Sequence, residues 1–185
     1  NKINASGNIK IETEELSSIS NELLYLKDIE EMRSNGNVII KDKLENYYFF
    51  NEFISDKNFN NAIGSDVKIR LKDGTRIVGK TFSRIDSNIN QINDASYTPC
   101  LREGYIVNNC PGWKLSANKV IHDTKNKNVY YEGATLSVLN VPILYSPFFS
   151  HPDPSVKKRS GFLMPTIASD NVLGDTLSIP FFYNI

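Results

Sequence analysis

The sequence predicts an all-β protein, in which a stack of short paired strands is followed by two strands of a different kind. Three observations predict this class. A phrase that begins with glycine recurs at a nearly fixed spacing, apolar and polar residues alternate over many short segments, and no segment has a convincing helical period. Residues 15–33 come nearest to a helical period, but their apolar spacing fits strand–turn–strand about as well.

The repeated phrase begins at Gly7, Gly36 and Gly64, which are separated by 29 and 28 residues. Each glycine is followed by a residue typical of turns and then by alternating apolar positions. Repeats of this length mark stacked units that cannot bury their apolar face alone. Glycine and asparagine tolerate a positive φ, so we expect each pair to open a strand.

The remaining strands are predicted from alternation and turn signals. Second strands are expected at residues 22–26 and 46–53, and the third unit continues through the hairpin signal at 72–74 into residues 75–82. Residues 97–111 have the composition of a loop. Two further strands are expected at 113–122 and 128–139, around a polar turn.

Alternation places a set of aliphatic residues on one common face of these strands. If two such faces diverge, they form an apolar groove, and if they meet, they form an ordinary filled core. Periodicity does not separate the two, and a slip of one residue would turn a strand inside out. The candidate groove residues are Ile9, Ile11, Val38, Ile40, Val67, Ile69, Leu71, Ala134, Leu136 and Val138.

The segment 140–161 is the expected joint between this domain and the C-terminal residues, because it holds four of the eight prolines and then a basic cluster, Lys157, Lys158 and Arg159. We expect a β domain over 1–147, a linker over 148–160 and a different kind of structure over 161–185. The cluster is a solvated turn or, beside a membrane, a contact for lipid phosphates.

The last residues have the pattern of a membrane barrel strand. Residues 175–185 alternate, with an apolar row that includes aromatic side chains near one end, and a barrel strand needs about 9–11 residues. Residues 160–169 are the expected partner, joined by a turn at 170–174. Since two strands cannot close a barrel, we expect more chain after residue 185, or else packing of this hairpin on the first domain.

Composition excludes several classes of function. The 21 basic and 21 acidic residues cancel, so no overall field favours nucleic acid, and no apolar run of spanning-helix length occurs. His122 and His151 lack the spacing of a metal-ligand set and have no nucleophile at a motif distance, so we predict no enzyme, no metal and no cofactor. Cys100 and Cys110 flank one loop, where a disulfide fits better than two unrelated thiols or a partial metal site.

Five phrases of this chain resemble the family of lipopolysaccharide-assembly outer-membrane proteins (LptD). The first four are YTPC at 97–100, WKL at 113–115, YYE at 130–132 and the long phrase at 140–165, and the fifth is PFFYNI at 180–185. The resemblance covers about residues 5–185, and the Gly-Asn repeats match the OstA-type domain that also builds periplasmic lipopolysaccharide carriers.

The resemblance implies a twisted β-jellyroll with an open hydrophobic groove, followed by the first two strands of an outer-membrane β-barrel. It implies that acyl chains of lipopolysaccharide pass along the groove from a periplasmic carrier of the same fold, docked at the N-terminal edge, to a lateral gate of the barrel. It also implies a lipoprotein plug within the barrel and a location at the outer membrane, mostly on its periplasmic side.

The resemblance also implies roles for two prolines and two cysteines. Pro165 and Pro180 lack the amide that a strand ladder needs, and in the family such prolines loosen the lateral gate; otherwise each merely starts or ends a strand. The cysteines depart from the best-known family pattern, in which N-terminal cysteines bond to the barrel. The departure favours a local Cys100–Cys110 bridge, but either residue could pair with a barrel cysteine. The alternative function is a β-solenoid scaffold or glycan-binding module with a filled core.

Overall fold

The computed structural model describes residues 1–13, 16–43, 45–72, 74, 76–98, 112–152, 156, 160–162, 166–170 and 174–184. No helix occurs in these ranges, and accordingly none long and apolar enough to cross a membrane. The main strands are β1 (Lys2–Glu12), β2 (Leu16–Leu26), β3 (Glu31–Asp42), β4 (Tyr47–Asp56), β5 (Ala62–Arg70), β6 (Arg76–Ile85), β7 (Ile89–Thr98), β8 (Trp113–Asp123), β9 (Asn128–Val138) and β10 (Val141–Pro152). The chain continues with four short strands: β11 (Gly161–Phe162), β12 (Thr166–Asp170), β13 (Gly174–Ser178) and β14 (Phe181–Phe182).

The first ten strands form one antiparallel sheet in which every strand pairs with its neighbours in sequence. The all-β class is therefore confirmed, as are the expected strands around 22–26, 46–53, 75–82, 113–122 and 128–139. Two strands were not expected. β7 lies in the polar stretch before the loop, and β10 occupies residues that we assigned to the joint.

The turns stack on one another at one end of the sheet. The Ser87 amide donates to the Asn60 carbonyl at 2.8 Å, and the Thr124 amide donates to the Asn88 carbonyl at 2.9 Å. The Asp86 amide donates to Asn61 Oδ1 at 3.2 Å. Each turn thus satisfies the polar groups of the turn about one repeat away, as expected of a stack of similar units.

The Gly-led phrases do not open strands, so this expectation is wrong. Gly7 and Gly36 lie in the middle of β1 and β3, where the pairing register shifts by one residue. Their φ angles of 114° and 70° are positive, and Asn37 and Asp66 have φ of 50° and 52°. A β-bulge with glycine at a positive φ uses the same residue types as a tight turn, and this explains why the sequence signal did not separate them.

Strict alternation is interrupted within β4 and within β7. Buried or half-buried positions advance by three instead of two at Phe50 and Phe53 of β4, and again at Ile92 and Ala95 of β7. The extra residue changes which side chains of the second half of each strand face the interior. Both halves therefore present apolar side chains to the interior, and the strand bends.

The bent sheet curls over on itself. Leu16 begins β2 beside the start of β4, whereas Asn58 and Asn60 come after the far end of β4, yet all three line one cavity. A straight strand of the length of β4 would hold those ends about 30 Å apart. The interior of the curl contains two hydrophobic clusters. The larger extends from β3 to β7 around Val38 and Val67, and the smaller packs Ala117, Val129, Tyr131 and Ala134.

The hairpin expected after residue 160 is present in two pieces. Thr166 pairs with Ser178 and Asp170 with Gly174, whereas Gly161 pairs with Phe182 in a separate short ladder. Ile179, Phe181 and Tyr183 are 41%, 54% and 71% exposed. Membership of these strands in a membrane barrel stays a prediction, as do the domain boundaries. Lys157, Lys158 and Arg159 lie outside the described residues.

Candidate functional site

One row of paired residues crosses the whole sheet; its members are buried or half-buried from Ile11 to Leu136, whereas Leu144 at the β10 edge is 57% exposed. Each member lies directly opposite the next in the antiparallel register, and directly opposed residues share a face. Nine of its ten members are apolar. The row, called the first row, consists of Ile11, Ser18, Ile40, Tyr48, Ile69, Ile77, Tyr97, Leu115, Leu136 and Leu144. At about 4.8 Å between neighbouring strands, it extends about 40 Å.

A second row crosses the sheet on the other side of the bend. It contains four aromatic residues, and Phe82 near its centre packs against Phe50, with the ring centroids 5.4 Å apart. The second row consists of Ala5, Leu23, Ser34, Phe53, Gly64, Phe82, Ile92, Val120, Tyr131 and Phe149.

The ten predicted groove residues all lie on the ten-stranded sheet or directly after one of its strands, and all are buried or half-buried. Six are buried, from Val38 at 0% and Val67 at 1% exposure to Leu136 at 8%. The other four, Ile9, Ile11, Leu71 and Val138, are half-buried. Ile11, Ile40, Ile69 and Leu136 belong to the first row. Their contact with a lipid stays a prediction.

Sequence reasoning missed the second row. Alternation extended from Val67, Ile69 and Leu71 places every second residue of a strand on the interior face. In the structure, the interior positions shift by one residue at the bend. Phe82 and Ile92 were therefore not chosen, although they are 7% and 6% exposed. A signal was available, because apolar residues three apart occur in β4 (Phe50 and Phe53) and again in β7 (Ile92 and Ala95).

The interior opens beside the start of β2. A cavity of about 470 Å³ is lined there by residues that include Thr13, Leu16, Phe59, Arg84 and Ser87. A smaller cavity of about 90 Å³ shares Leu16, Phe59 and Arg84 and extends to Phe50 and Phe53. An engineered cavity of about 150 Å³ accommodates benzene, so the smaller one is too narrow for a fatty tail without side-chain movement.

Hydrogen bonds fix the polar groups at the margins of the interior. The Tyr48 hydroxyl donates to the Asp42 carboxylate at 3.1 Å, and burial together with that negative charge raises the pKa of Tyr48. The Tyr131 hydroxyl lies 2.9 Å from His151 Nε2, and burial raises the pKa of Tyr131. Both phenols therefore stay protonated at neutral pH. Within the described ranges, no group of three or more histidines, cysteines and carboxylates is placed to hold a metal ion.

The two edges of the sheet differ. β1 has no proline, and the Lys27 amide donates to the Asn1 carbonyl, so Asn1 and Lys27 form a hydrogen-bonded pair. Antiparallel pairs alternate between bonded and non-bonded, so the amides of Lys2, Asn4 and Ser6 point to the free edge. β10 carries three prolines, at 142, 147 and 152, and Phe148 on it is 77% exposed.

Three predicted site residues, Pro165, Cys100 and Cys110, lie outside the described residues, so the disulfide stays a prediction. Pro180 lies between β13 and β14, where the described part of the hairpin ladder is interrupted. Of the exposed aromatics that a glycan reader would need, the cluster at 47–50 offers only Tyr47, at 36%, while Phe50 is 5% exposed.

No family model matches the chain. Several curated proteins are similar to it in sequence. The LPS-assembly protein LptD of Francisella tularensis subsp. novicida is 32% identical over 88 residues, which cover 46% of this chain and 10% of the relative. LptD of Yersinia pseudotuberculosis is 30% identical over 132 residues, 70% of this chain and 16% of the relative. LptD of Nitrosomonas eutropha is 25% identical over 187 residues, 100% of this chain and 24% of the relative.

Among solved structures, LptH of Pseudomonas aeruginosa, described as the LptA-homologous periplasmic component of a lipopolysaccharide transport device, is similar with a TM-score of 0.49. The two share 13% sequence identity over 75% of this chain and 95% of that one.

The fold and its interior rows define an all-β stack of repeated strands with an apolar interior. The sequence relatives specify the family further: the chain belongs to the LPS-assembly protein LptD family, as an OstA-like N-terminal domain. It spans between about a tenth and a quarter of the length of these three relatives.

Proposed function

We propose that the chain transports lipopolysaccharide towards the outer leaflet of the outer membrane, with the acyl chains moving along the interior rows. The observation that carries this proposal is the continuity of the first row, whose members are buried or half-buried from Ile11 on β1 to Leu136 on β9. Exposing a fatty tail to water costs about 0.8 kcal/mol per CH₂, so a path between two membranes has to be apolar along its whole length.

The path has to open for a lipid to enter. Val38 at 0% and Val67 at 1% exposure lie in the closed part of the interior, whereas the larger cavity opens the interior beside the start of β2. A tail that enters beside Leu16 would displace side chains inward from that opening. Binding then selects a wider state of the curled sheet, in which the ten predicted groove residues line the path.

The two edges of the sheet would set the direction of lipid transport. The outward amides of β1 are suited to strand addition by a periplasmic carrier of the same fold. β10, at the other edge, leads to the C-terminal hairpin and from there to the barrel. In this arrangement the described sheet is periplasmic and the protein is anchored at the outer membrane. A lipoprotein plug would occupy the barrel lumen.

The two gate prolines would act on the hairpin. Pro180 lies between the ladder of Thr166 with Ser178 and the ladder of Gly161 with Phe182. Because proline has no backbone amide to donate, Pro165 and Pro180 would weaken the pairing of the strands that carry them, and weak pairing would allow the barrel to open sideways.

A photocrosslinking residue at Ile40, with Lys41 as its matched control, tests the proposal. Ile40 is 7% exposed and belongs to the first row, whereas Lys41 is the next residue along β3. In cells, the probe at Ile40 should capture lipopolysaccharide and the probe at Lys41 should not. Equal capture at both positions, or at neither, contradicts conduction through the interior.

The alternative is a scaffold with a filled core, and one observation favours it: the centre of the interior is closed by its own side chains, with Val38 and Val67 almost without solvent contact. A scaffold predicts no lipid at Ile40 even during active lipopolysaccharide export. The same pair of probes therefore decides between the two functions.

A further inference from the structure

A third row of the interior face is mostly polar, with five polar residues among seven, and is called the polar row. In each strand it lies two residues from the second row and therefore on the same face, next to the turns. The polar row runs from β4 to β10 and consists of Ser55, Ala62, Arg84, Asn90, His122, Val129 and His151.

Two members of the polar row hold buried polar atoms without partners. Ser55 Oγ and Arg84 Nε have no hydrogen-bond partner and almost no solvent contact, and Ser55 as a whole is 3% exposed. Across the described chain one other buried side-chain atom, Trp113 Nε1, shares this condition. A buried polar group without a partner costs free energy. Its presence beside a cavity therefore points to a ligand that supplies the missing hydrogen bond.

Arg84 lies where the interior opens. It lines both the cavity of about 470 Å³ and the cavity of about 90 Å³, and the larger volume is in the range of about 300–1,000 Å³ that is typical of ligand sites. Leu16 and Phe59 give both cavities an apolar wall. The rim of the larger cavity is polar and includes Asn58, Asn60 and Ser87.

Arg84 is the cation available at this site. Among the described carboxylates, none approaches it within ion-pair distance, whereas Lys57 on the same rim is paired with Glu30 at 2.5 Å. Asp42 lines the smaller cavity, but its oxygens accept hydrogen bonds from Asn46 and from the Tyr48 hydroxyl. Glu14 and Glu15 lie outside the described residues.

We propose that Arg84 binds a phosphate or similar anionic group on the headgroup of an acylated lipid, while the tails lie against the first and second rows. An arginine fork donates two parallel hydrogen bonds to a phosphate, which fits a headgroup that must be oriented as the tails enter. The polar row continues from Arg84 through Asn90 to His122 and forms a polar margin beside the apolar path. This inference rests on the proposed function and adds the site of headgroup recognition.

The test compares two lipids and two arginines of the same strand. The probes are lipopolysaccharide and the same lipopolysaccharide with its phosphates removed enzymatically, and the variants are Arg84→Gln and Arg76→Gln, at opposite ends of β6. The unchanged chain should bind the phosphorylated lipid about tenfold more tightly. R84Q should abolish this preference and keep its affinity for the dephosphorylated lipid, and R76Q should retain the preference.

The possible outcomes distinguish failure of the Arg84 site from failure of the proposed transport function. If both lipids bind equally to the unchanged chain, or if the preference survives in R84Q, the Arg84 site is wrong and lipid transport stands. If neither lipid binds, the proposed function itself fails. Should R84Q not fold, hydrogen exchange on the unchanged chain decides: phosphorylated lipid should protect amides at 57–60 and 84–87 more than dephosphorylated lipid does, and equal protection overturns the site.

Discussion

The Tyr131 hydroxyl donates a hydrogen bond to His151 Nε2, 2.9 Å away, and so ties the second row to the last residues of β10. The direction is set by the other ring nitrogen, which lies 2.7 Å from the Pro152 carbonyl and must donate to it. Phe149 packs on both rings, with centroids 5.6 Å and 6.0 Å away. This cluster fixes the strand that leads to the C-terminal hairpin.

We expect Tyr131→Phe to lower the free energy of unfolding by about 1 kcal/mol, because the ring packing stays and one buried hydrogen bond is lost. Urea denaturation measures the change. The control is Tyr130→Phe, at a hydroxyl whose residue is 41% exposed, which should change the stability by less than about 0.5 kcal/mol. Equal effects of both substitutions would mean that the Tyr131–His151 bond contributes nothing.

The Asp56 carboxylate should make stability depend on pH. It accepts bonds from the amides of Asn58, Asn60 and Asn61 at 2.8–3.0 Å. Burial alone would raise the pKa of Asp56, but these donors outweigh burial and lower it. A lowered folded pKa means that the stabilisation is present above the unfolded value, about 3.9, and is lost as the pH falls through the folded value.

Asp56→Asn should therefore lower the free energy of unfolding by about 1–2 kcal/mol at pH 7, and the difference should shrink in acid below about pH 4. The control is Asp94→Asn, because Asp94 has a φ of 49° and asparagine adopts that conformation equally well. Denaturation at several pH values measures both. A difference for Asp56→Asn that is independent of pH would contradict the assigned cause.

The free edge of β1 can be tested at one amide. Asn4→Pro removes an amide that points away from β2, so the sheet should remain intact while strand addition by a periplasmic carrier weakens about fivefold or more. Asn4→Ala changes the side chain but keeps the amide and should bind the carrier normally. Light scattering of mixtures with the carrier measures both. Normal binding of Asn4→Pro would place the carrier elsewhere.

The sequence was sufficient for features that depend on local pattern. Alternation around Val38, Val67 and Leu136 identified strands and their buried sides correctly, because the period of two is a property of the strand itself. The repeat of the Gly-led phrase also predicted stacked units, which the turn-to-turn bonds of Asn60 and Ser87 confirm.

Features that depend on bends and on distant packing were not predictable. Gly36 and Asn37 have a positive φ, but composition does not tell a bulge from a turn, so the bend in the strand was missed. The second row, including Phe82 and Ile92, was missed with it. The role of Arg84 also lay beyond the sequence, since it depends on a curl that brings Leu16 of β2 and Phe59 to the same cavity.

The most direct measurement of the central claim is the order in which lipopolysaccharide reaches two positions of the first row. Photocrosslinking probes at Ile40 on β3 and Leu136 on β9 are sampled at successive times after export is started, with Lys41 as the background. The account predicts capture at Ile40 first and at Leu136 later, both above the level at Lys41. Capture at Leu136 before Ile40, or at neither above that background, would contradict transport along the interior of the sheet.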